Sequence, residues 1–589
     1  MIELFFSNKS ELLKDAPSNI GCDSTYRLNP IPSDMIVGKD VMNDLEVFQP
    51  YDNTSFDTTL IHKLNDTQTI GGKRFVEDLI RNPIYDVNIL EKRKACLETI
   101  GDDAFVVNKQ HEMDFMWLHT ESEETITDLL NSIYFNNFLT KRLNKSECAL
   151  TGYNIYRVAI SPVLGIVSPL IYFILPFLIL HIKFGSKIQM SFTTYIKLLY
   201  KSMSSSRDVV TMFGNSGTLS RLQSLTYVLS LVFYFQGILN STDIAYTSYK
   251  IINYLSDKIN NAMSFLKSGS QFIEKNNVLL EQYARYYVHE LDTMDTEMLT
   301  EVDSYIPYKK FNILSNFGKQ LKIYKTIKRS STLPLVNRCY LLDGIHTLKR
   351  CKYEMGLTYP TFVSGQKKLR FVSNDCWNIH LLQKDAVTNN VDLGNTVITG
   401  PNAGGKSTLI KMICTNVLLA QTIGLTSSSH TVMTPFYFIN TQINIPDCKG
   451  HESLFEAEMN RCMYNLTTIE EHKDKPSLVV MDEIFNSTNV VEAISGAYSI
   501  LHKMATFQNT LSLVTTHLTY LTKLKKTSNF DCYCMSVTTT DMGKIEYPYI
   551  LKEGVCKQYI ALELLKARGF SKDIIDKALQ IKEKFIRRV

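Results

Sequence analysis

Residues Gly400 to Thr408 read GPNAGGKST and follow the apolar run NTVIT, while the helical pattern LIKMICTNVLLAQTIG comes after them. The spacing is GxxxxGK[ST], and a strand, a glycine-rich turn and a helix start supply the context in which that motif handles phosphates. Gly400, Pro401, Asn402, Ala403, Gly404, Gly405, Lys406, Ser407 and Thr408 form the expected cradle. Glycines let backbone N–H groups turn toward phosphate oxygens, and the helix N-terminus adds positive potential. Lys406 is then placed to reach the β and γ phosphates and Ser407 to ligate Mg²⁺. Further on, PSLVVMDEIFNST gives a proline break, a buried strand and then Asp482 and Glu483 at its carboxyl end, the edge at which open α/β sheets place ligand chemistry. Two adjacent carboxylates suit two roles: Asp482 holds the Mg²⁺ shell, and Glu483 orients or deprotonates the attacking water. A third apolar strand, LSLVTTH, ends in Thr515, Thr516 and His517; an imidazole at that strand end suits a sensor of the γ-phosphate.

These side chains need a sheet to bring three strand ends together. The expected class is therefore an α/β P-loop ATPase domain over residues 371–559, preceded by mostly α-helical sequence. Apolar residues recur at helical spacing from Leu60, Ile61 and Leu64 to Phe75, Leu79 and Ile80, with Pro83 closing a helix. Residues 44–157 read as the first part of a helical core and lever, residues 243–370 as its return, and residues 1–43 as a polar arm with few core positions. With 44% hydrophobic and 21% charged residues in 589, the composition is that of an ordinary folded protein, and a net charge of +4 selects no partner. Twelve cysteines are scattered without a CxxC pair, which points to neither a zinc site nor a disulfide framework.

Residues 158–242 stand apart. VAISPVLGIVSPLIYFILPFLILHI, Val158 to Ile182, carries no Asp, Glu, Lys or Arg over a length that matches a bilayer core of about 30 Å. Leu222 to Thr242 is also uncharged but holds more polar side chains. The expectation is a hairpin of two transmembrane helices in contact with lipid, hence a multi-pass membrane protein whose ATPase domain faces the cytosol or another nucleotide-containing side. A pair of buried core helices is the alternative.

Many ATPases share a phosphate loop and a carboxylate strand, so the segment between them discriminates. The LSGGQ signature is absent; GHESLFEAEM stands in its place. TGPNAGGKST, SLFEAEM, LVVMDEIFNST and TTH together resemble the four ATPase motifs of the MutS family, in order and spacing. LEVF and LIHKLNDTQTIGGKRFVEDLIRNPIYDVNILEKR resemble the start of that family's core and lever, and ALELLKARGFSKDIIDKAL resembles its helix-turn-helix dimerisation element, here residues 560–589. The resemblance covers about residues 44–100 and 330–589.

What the resemblance implies is a dimer, either homodimer or MutS-like heterodimer, binding ATP with Mg²⁺, in which Ser453 matches the signature serine that meets the γ-phosphate of the neighbouring subunit. Lys406, Ser407, Asp482, Glu483 and His517 match the family's nucleotide-site positions, and Phe371 in LRFVSND matches the adenine-stacking region, beside a plain core role. Departures are Ala403 for the usual Met, Asn486-Ser487 for the common Arg-Gly and Ala561 for the usual Gly. With about 43 residues before the core, the chain is expected to lack the family's mismatch-reading domain. The functional expectation is a membrane-anchored MutS-like ATPase that binds or clamps double-stranded DNA without reading mismatches, as in tethering a genome within a large DNA virus or its replication compartment. Mismatch repair with the reader supplied by a partner, and an SMC- or ABC-like ATPase with a non-DNA cargo, are the competing readings.

Overall fold

The computed structural model describes residues 28–50, 56–102, 105–120, 133–184, 191–197, 217–307, 316–327, 330–363, 369–381, 384–443, 454–539, 545–556, 562, 565 and 568–586. The chain divides into two compact units, one formed by Met1–Asp23, Val107–Ser270 and Met294–Leu333, the other by Ser24–Val106, Gln271–Thr293 and Pro334–Val589.

The second unit is built on a seven-stranded sheet. In chain order its strands are β1 (Ile36–Val37), β5 (Thr396–Thr399), β7 (Phe438–Gln442), β8 (Ser477–Asp482), β9 (Thr510–Thr516), β10 (Asp531–Met535) and β13 (Leu551–Glu553). Their spatial order is β1-β7-β8-β9-β5-β10-β13, and only the β10–β13 pair is antiparallel. Every residue of β5 and β9 is buried, as are the first five of β8. Strands covered on both faces read as continuous apolar runs, which is why TVIT, LSLV and LVVM were visible in the sequence. β9 sits between β8 and β5, with Asp482 opposite Thr515 and Thr399 opposite Thr516. The three motif-bearing strand ends are thereby side by side.

A four-stranded sheet in the order β2-β6-β3-β4 lies in the same unit, formed by β2 (Thr361–Phe362), β3 (Phe371–Cys376), β4 (Asn389–Leu393) and β6 (His430–Met433). The predicted helices are present at Leu60–Leu64 and Ile70–Arg81, burying Leu60, Ile61, Leu64, Phe75, Leu79 and Ile80. Thr59 and Thr69 cap them by accepting from the N–H groups of His62 and Gly72, the role short hydroxyl side chains fill at helix starts. The N-terminal arm differs from expectation: Ile36 and Val37 pair in parallel with Phe438 and Ile439 as the edge of the large sheet. A two-residue strand is too short to show a period in the sequence.

The first unit is helical. Glu147–Ile155 and Phe317–Ile327 pack closely, and a Cβ on Gly318 would collide with the Glu147 carbonyl oxygen. Asp114, on the helix Lys109–Thr120, is buried with Lys258 at 2.8 Å and also accepts from Asn261 Nδ2 at 2.7 Å and Gln110 Nε2 at 2.9 Å.

The transmembrane expectation is overturned. Among the described residues no helix is long and apolar enough to cross a membrane, so the two spans, the lipid contact through residues 158–242 and the multi-pass membrane assignment fall with it. The second apolar stretch has no boundaries of its own: it is part of a single 67-residue helix, Gly217–Tyr283, whose later turns bury Ile251, Ile252, Leu255, Ile259 and Met263. The first stretch enters through a π-helical turn, Tyr156–Ile160, into the helix Ser161–Phe184. Hydroxyls join the two, with Ser161 Oγ 3.4 Å from Ser241 Oγ and Tyr234 OH donating to the Ile166 carbonyl at 3.1 Å. Freedom from charge does not by itself make a span: the two stretches meet through these hydroxyls, while Val163, Ile182, Phe233 and Leu239 are exposed.

Candidate functional site

The turn after β5 leads into the helix Lys406–Thr422, whose cap residue Gly405 has φ +89°. A Cβ there would meet the Tyr549 ring at 2.8 Å, so a side chain would be strained in conformation and would have to displace that ring. Gly400 is confined by its neighbour strand, since a Cβ would come within 2.7 Å of the Met535 carbonyl oxygen. Ala403 holds φ +64° without being glycine, and Glu483 and Phe485 hold +49° and +58°. Left-handed backbone at ordinary residues costs about 1–3 kcal/mol each and persists where surrounding structure enforces it. Here the strain flanks both phosphate-side motifs.

Lys406 is only 4% exposed along its side chain. Its ammonium donates to the Gly400 and Pro401 carbonyls at 3.1 Å each and lies 3.4 Å from Glu483 Oε1. Asp482 accepts from Thr515 Oγ1 and from the Ser407 hydroxyl. Burial pushes its carboxyl above the ordinary aspartate range; the Ser407 and Thr515 hydrogen bonds pull it back, the nearby Glu483 charge raises it and Lys406 lowers it. The Glu483 N–H donates to the Thr515 carbonyl at 3.1 Å and to Thr515 Oγ1 at 3.2 Å, while Asn486 Nδ2 donates to Glu483 Oε2 at 3.0 Å.

Asn402, Ala403, Gly405, Lys406, Ser407, Thr408, Asp482 and Glu483 line a cavity of about 630 Å³ together with Asn378, Leu381, Asp385, Val387, Asn389, Leu409, Met412, Met535 and Tyr549. The paired phosphate-loop and carboxylate residues thus meet as their motifs imply. Of the other expected residues, Gly400, Pro401 and Gly404 belong to the turn but are not among those lining the cavity, and three more stand elsewhere or outside the described residues. His517 is exposed at the end of β9 and is not among the cavity-lining residues. Phe371 is 1% exposed within β3, opposite Leu393 and Met433, and takes the core role that was its alternative. Ser453 lies outside the described residues.

Thr515, Asn389 and Tyr549 were not singled out for these contacts. Thr515 could have been found from its place at the end of a buried strand. Tyr549 is held by Asn389, whose Nδ2 donates to the Tyr549 carbonyl at 3.0 Å and whose Oδ1 accepts from Leu551 N–H at 2.7 Å. That contact joins segments 160 positions apart, and no local pattern announces it.

The site fits a metal–phosphate group by its donor set. Among the described residues no cluster of three or more His, Cys, Asp or Glu assembles; what the site offers is one hydroxyl and one carboxylate. Mg²⁺ is commonly held by one or two carboxylates together with waters and substrate phosphates.

Residues 396–586 match the family model for MutS domain V. The chain is similar to the DNA mismatch repair protein MSH3 of Saccharomyces cerevisiae, 25% identical over 339 residues, which is 55% of this chain and 30% of that protein. It is 24% identical over 307 residues to the DNA mismatch repair protein MutS of Thermotoga petrophila, 51% of this chain and 37% of that one. MSH3 of Meyerozyma guilliermondii is 30% identical over 197 residues, 32% of this chain and 20% of the relative. The chain thus aligns with less than half the length of each of these relatives.

Proposed function

We propose that this chain, a MutS-family protein by its domain V and its relatives, binds and hydrolyses ATP at the end of the β8-β9-β5 strands. The observation that carries the reading is the meeting of Lys406, Ser407, Asp482 and Glu483 in the lining of one cavity. Lys406 and the N-terminus of its helix would bind the phosphates, and the anionic substrate would compete with Glu483 for the ammonium. Ser407 and Asp482 would hold Mg²⁺, which when bound supplies charge neutralisation at the phosphates. Glu483, steadied at its N–H by Thr515 and at Oε2 by Asn486, would orient the attacking water and accept its proton.

The test is nucleotide binding and phosphate release by the full chain. Glu483→Gln is expected to keep ATP binding and to lower turnover at least about a hundredfold, because the amide cannot accept the proton. Turnover like the wild type's in that variant removes Glu483 from its role.

Duplex DNA is the proposed partner, because the relatives bear the name DNA mismatch repair protein. The role proposed is a MutS-like one, clamping duplex DNA without discriminating mismatches. We expect salt-dependent binding that differs less than about threefold between perfect and G·T-mismatched duplexes, under about 1 kcal/mol. Competition binding at two salt concentrations decides it, and a tenfold mismatch preference assigns the reader to this chain. Site sharing is proposed as well: mixing Lys406→Ala with Ser453→Ala subunits should restore about one working site per mixed dimer. No recovery in a verified mixed dimer argues against Ser453 acting on its neighbour.

A further inference from the structure

Glu458 belongs to the SLFEAEM segment yet has no part in the chemistry above. It lies on the helix Leu454–Glu471 and is 5% exposed. A buried carboxylate is retained at a cost unless its oxygens are used, and these are: Ser487 Oγ donates to Glu458 Oε2 at 2.8 Å, and the Asn486 N–H donates to the same carboxylate. Asn486 in turn donates its side-chain amide to Glu483 Oε2 at 3.0 Å. The same helix grips the same loop a second time, through Phe455, whose ring lies 5.4 Å from that of Phe485. Phe485 is 3% exposed and sits at φ +58°, a conformation that packing must enforce.

We propose that Glu458 is a positioning residue for ATP hydrolysis: by fixing the backbone of Asn486 and Ser487 it directs the Asn486 amide onto Glu483 and so aims the water-activating carboxylate. The inference rests on the ATPase reading. It also gives a use to the departure at Asn486-Ser487, where the family commonly has Arg-Gly. An Asn amide reaches Glu483 with a neutral donor, leaving Lys406 as the cation beside that carboxylate. The SLFEAEM helix and the carboxylate are then mechanically joined, so a displacement of the helix reaches Glu483 through two hydrogen bonds.

The experiment measures kcat, KM and nucleotide affinity of the full chain for wild type, Glu458→Ala, Glu458→Gln, Asn486→Ala and the Glu458→Ala/Asn486→Ala double variant, with Tm for each. Asn486→Ala should lower kcat about tenfold or more with KM and nucleotide affinity within about twofold, the split expected when only transition-state alignment is lost. Glu458→Ala should do the same, and the double variant should be no worse than the worse single within about twofold, since residues acting in series are not additive. Glu458→Gln should recover most of the turnover, because its amide oxygen still accepts one of the two donors. A kcat within twofold of wild type for Asn486→Ala overturns the proposal, as do multiplicative losses in the double variant, or losses that track nucleotide affinity. Asn486 is exposed, so its variant reports even where Glu458→Ala fails to fold. Absence of turnover in the wild type, or full turnover in Glu483→Gln, fails the ATPase reading itself and is recognised before any of these variants is compared.

Discussion

The strand ends that carry the proposed nucleotide site and the long helices around residues 158–283 illustrate two ways a sequence can be read. At the strand ends, chemistry and geometry restrict the same residues: Gly405 must have a positive φ and must also leave room for the Tyr549 ring. Two independent demands on one position make a motif specific. In the helices a single demand, freedom from charge, does not choose among a bilayer, a packed helix and an apolar face: Ser161 meets Ser241 and Tyr234 meets the Ile166 carbonyl, while Val163, Phe233 and Leu239 are exposed. The lesson is that specificity of a reading follows the number of constraints a residue satisfies, not the length of the pattern.

That comparison predicts loss of nucleotide handling when the site is altered and loss of stability when the helical unit is. The largest effect is expected at Lys406, whose alanine variant should lose ATP binding or turnover at least about a thousandfold, about 4 kcal/mol, in equilibrium binding and phosphate-release assays. Next is Asp114→Ala, which strands the Lys258 ammonium beside an empty partner site; removing one member of a buried pair costs about 3–5 kcal/mol. Denaturant unfolding followed in this helical unit checks it. An Asp114 variant as stable as the wild type would break the comparison.

Asp343→Ala removes an acceptor used by Thr69 Oγ1 at 2.6 Å and by the Thr69 and Gln68 N–H groups at 2.8 and 3.3 Å. About 2–3 kcal/mol of stability should be lost with these buried donors unpaired, read from thermal or denaturant melts. At the phosphate loop, Gly405→Ala should weaken nucleotide binding about tenfold while changing stability by only about 1–2 kcal/mol, since the strain is local. A stability loss exceeding that of Asp114→Ala would show that the loop is a folding element as well as a binding one.

Asp482 sharpens the contrast through pH. Its folded-state pKa is raised by burial, so protonation is favoured by folding: the contribution is fully present below the unfolded aspartate value and is lost as pH rises through the raised one. Asp482→Asn should therefore melt at a higher temperature than the wild type near pH 7, with the difference shrinking as pH falls toward 4. An advantage that grows in acid would reverse the sign and refute the burial argument. The smallest effect is expected at Lys322, whose exposed pair with Glu147 at 3.2 Å should contribute less than about 0.5 kcal/mol.

What the amino-acid order determined by itself is the local chemistry. The glycine-rich turn, the carboxylate pair after a buried strand and the capped helices at Leu60 and Ile70 each lie within a few consecutive residues, where turn conformation, burial and helix capping leave a direct trace. The tertiary structure decided what depends on distant partners. It chose the order β8-β9-β5, which sets Thr515 against Asp482. It recruited Ile36 and Val37 to the sheet edge, buried Phe371 in β3 and brought Tyr549 to the cavity through Asn389. It also made the uncharged stretches partners of one another. Those outcomes turn on which surface a residue meets, and a side chain's own type restricts that only weakly, because apolar and hydroxyl groups are satisfied by many neighbours whereas a phosphate-binding turn is satisfied by few backbones.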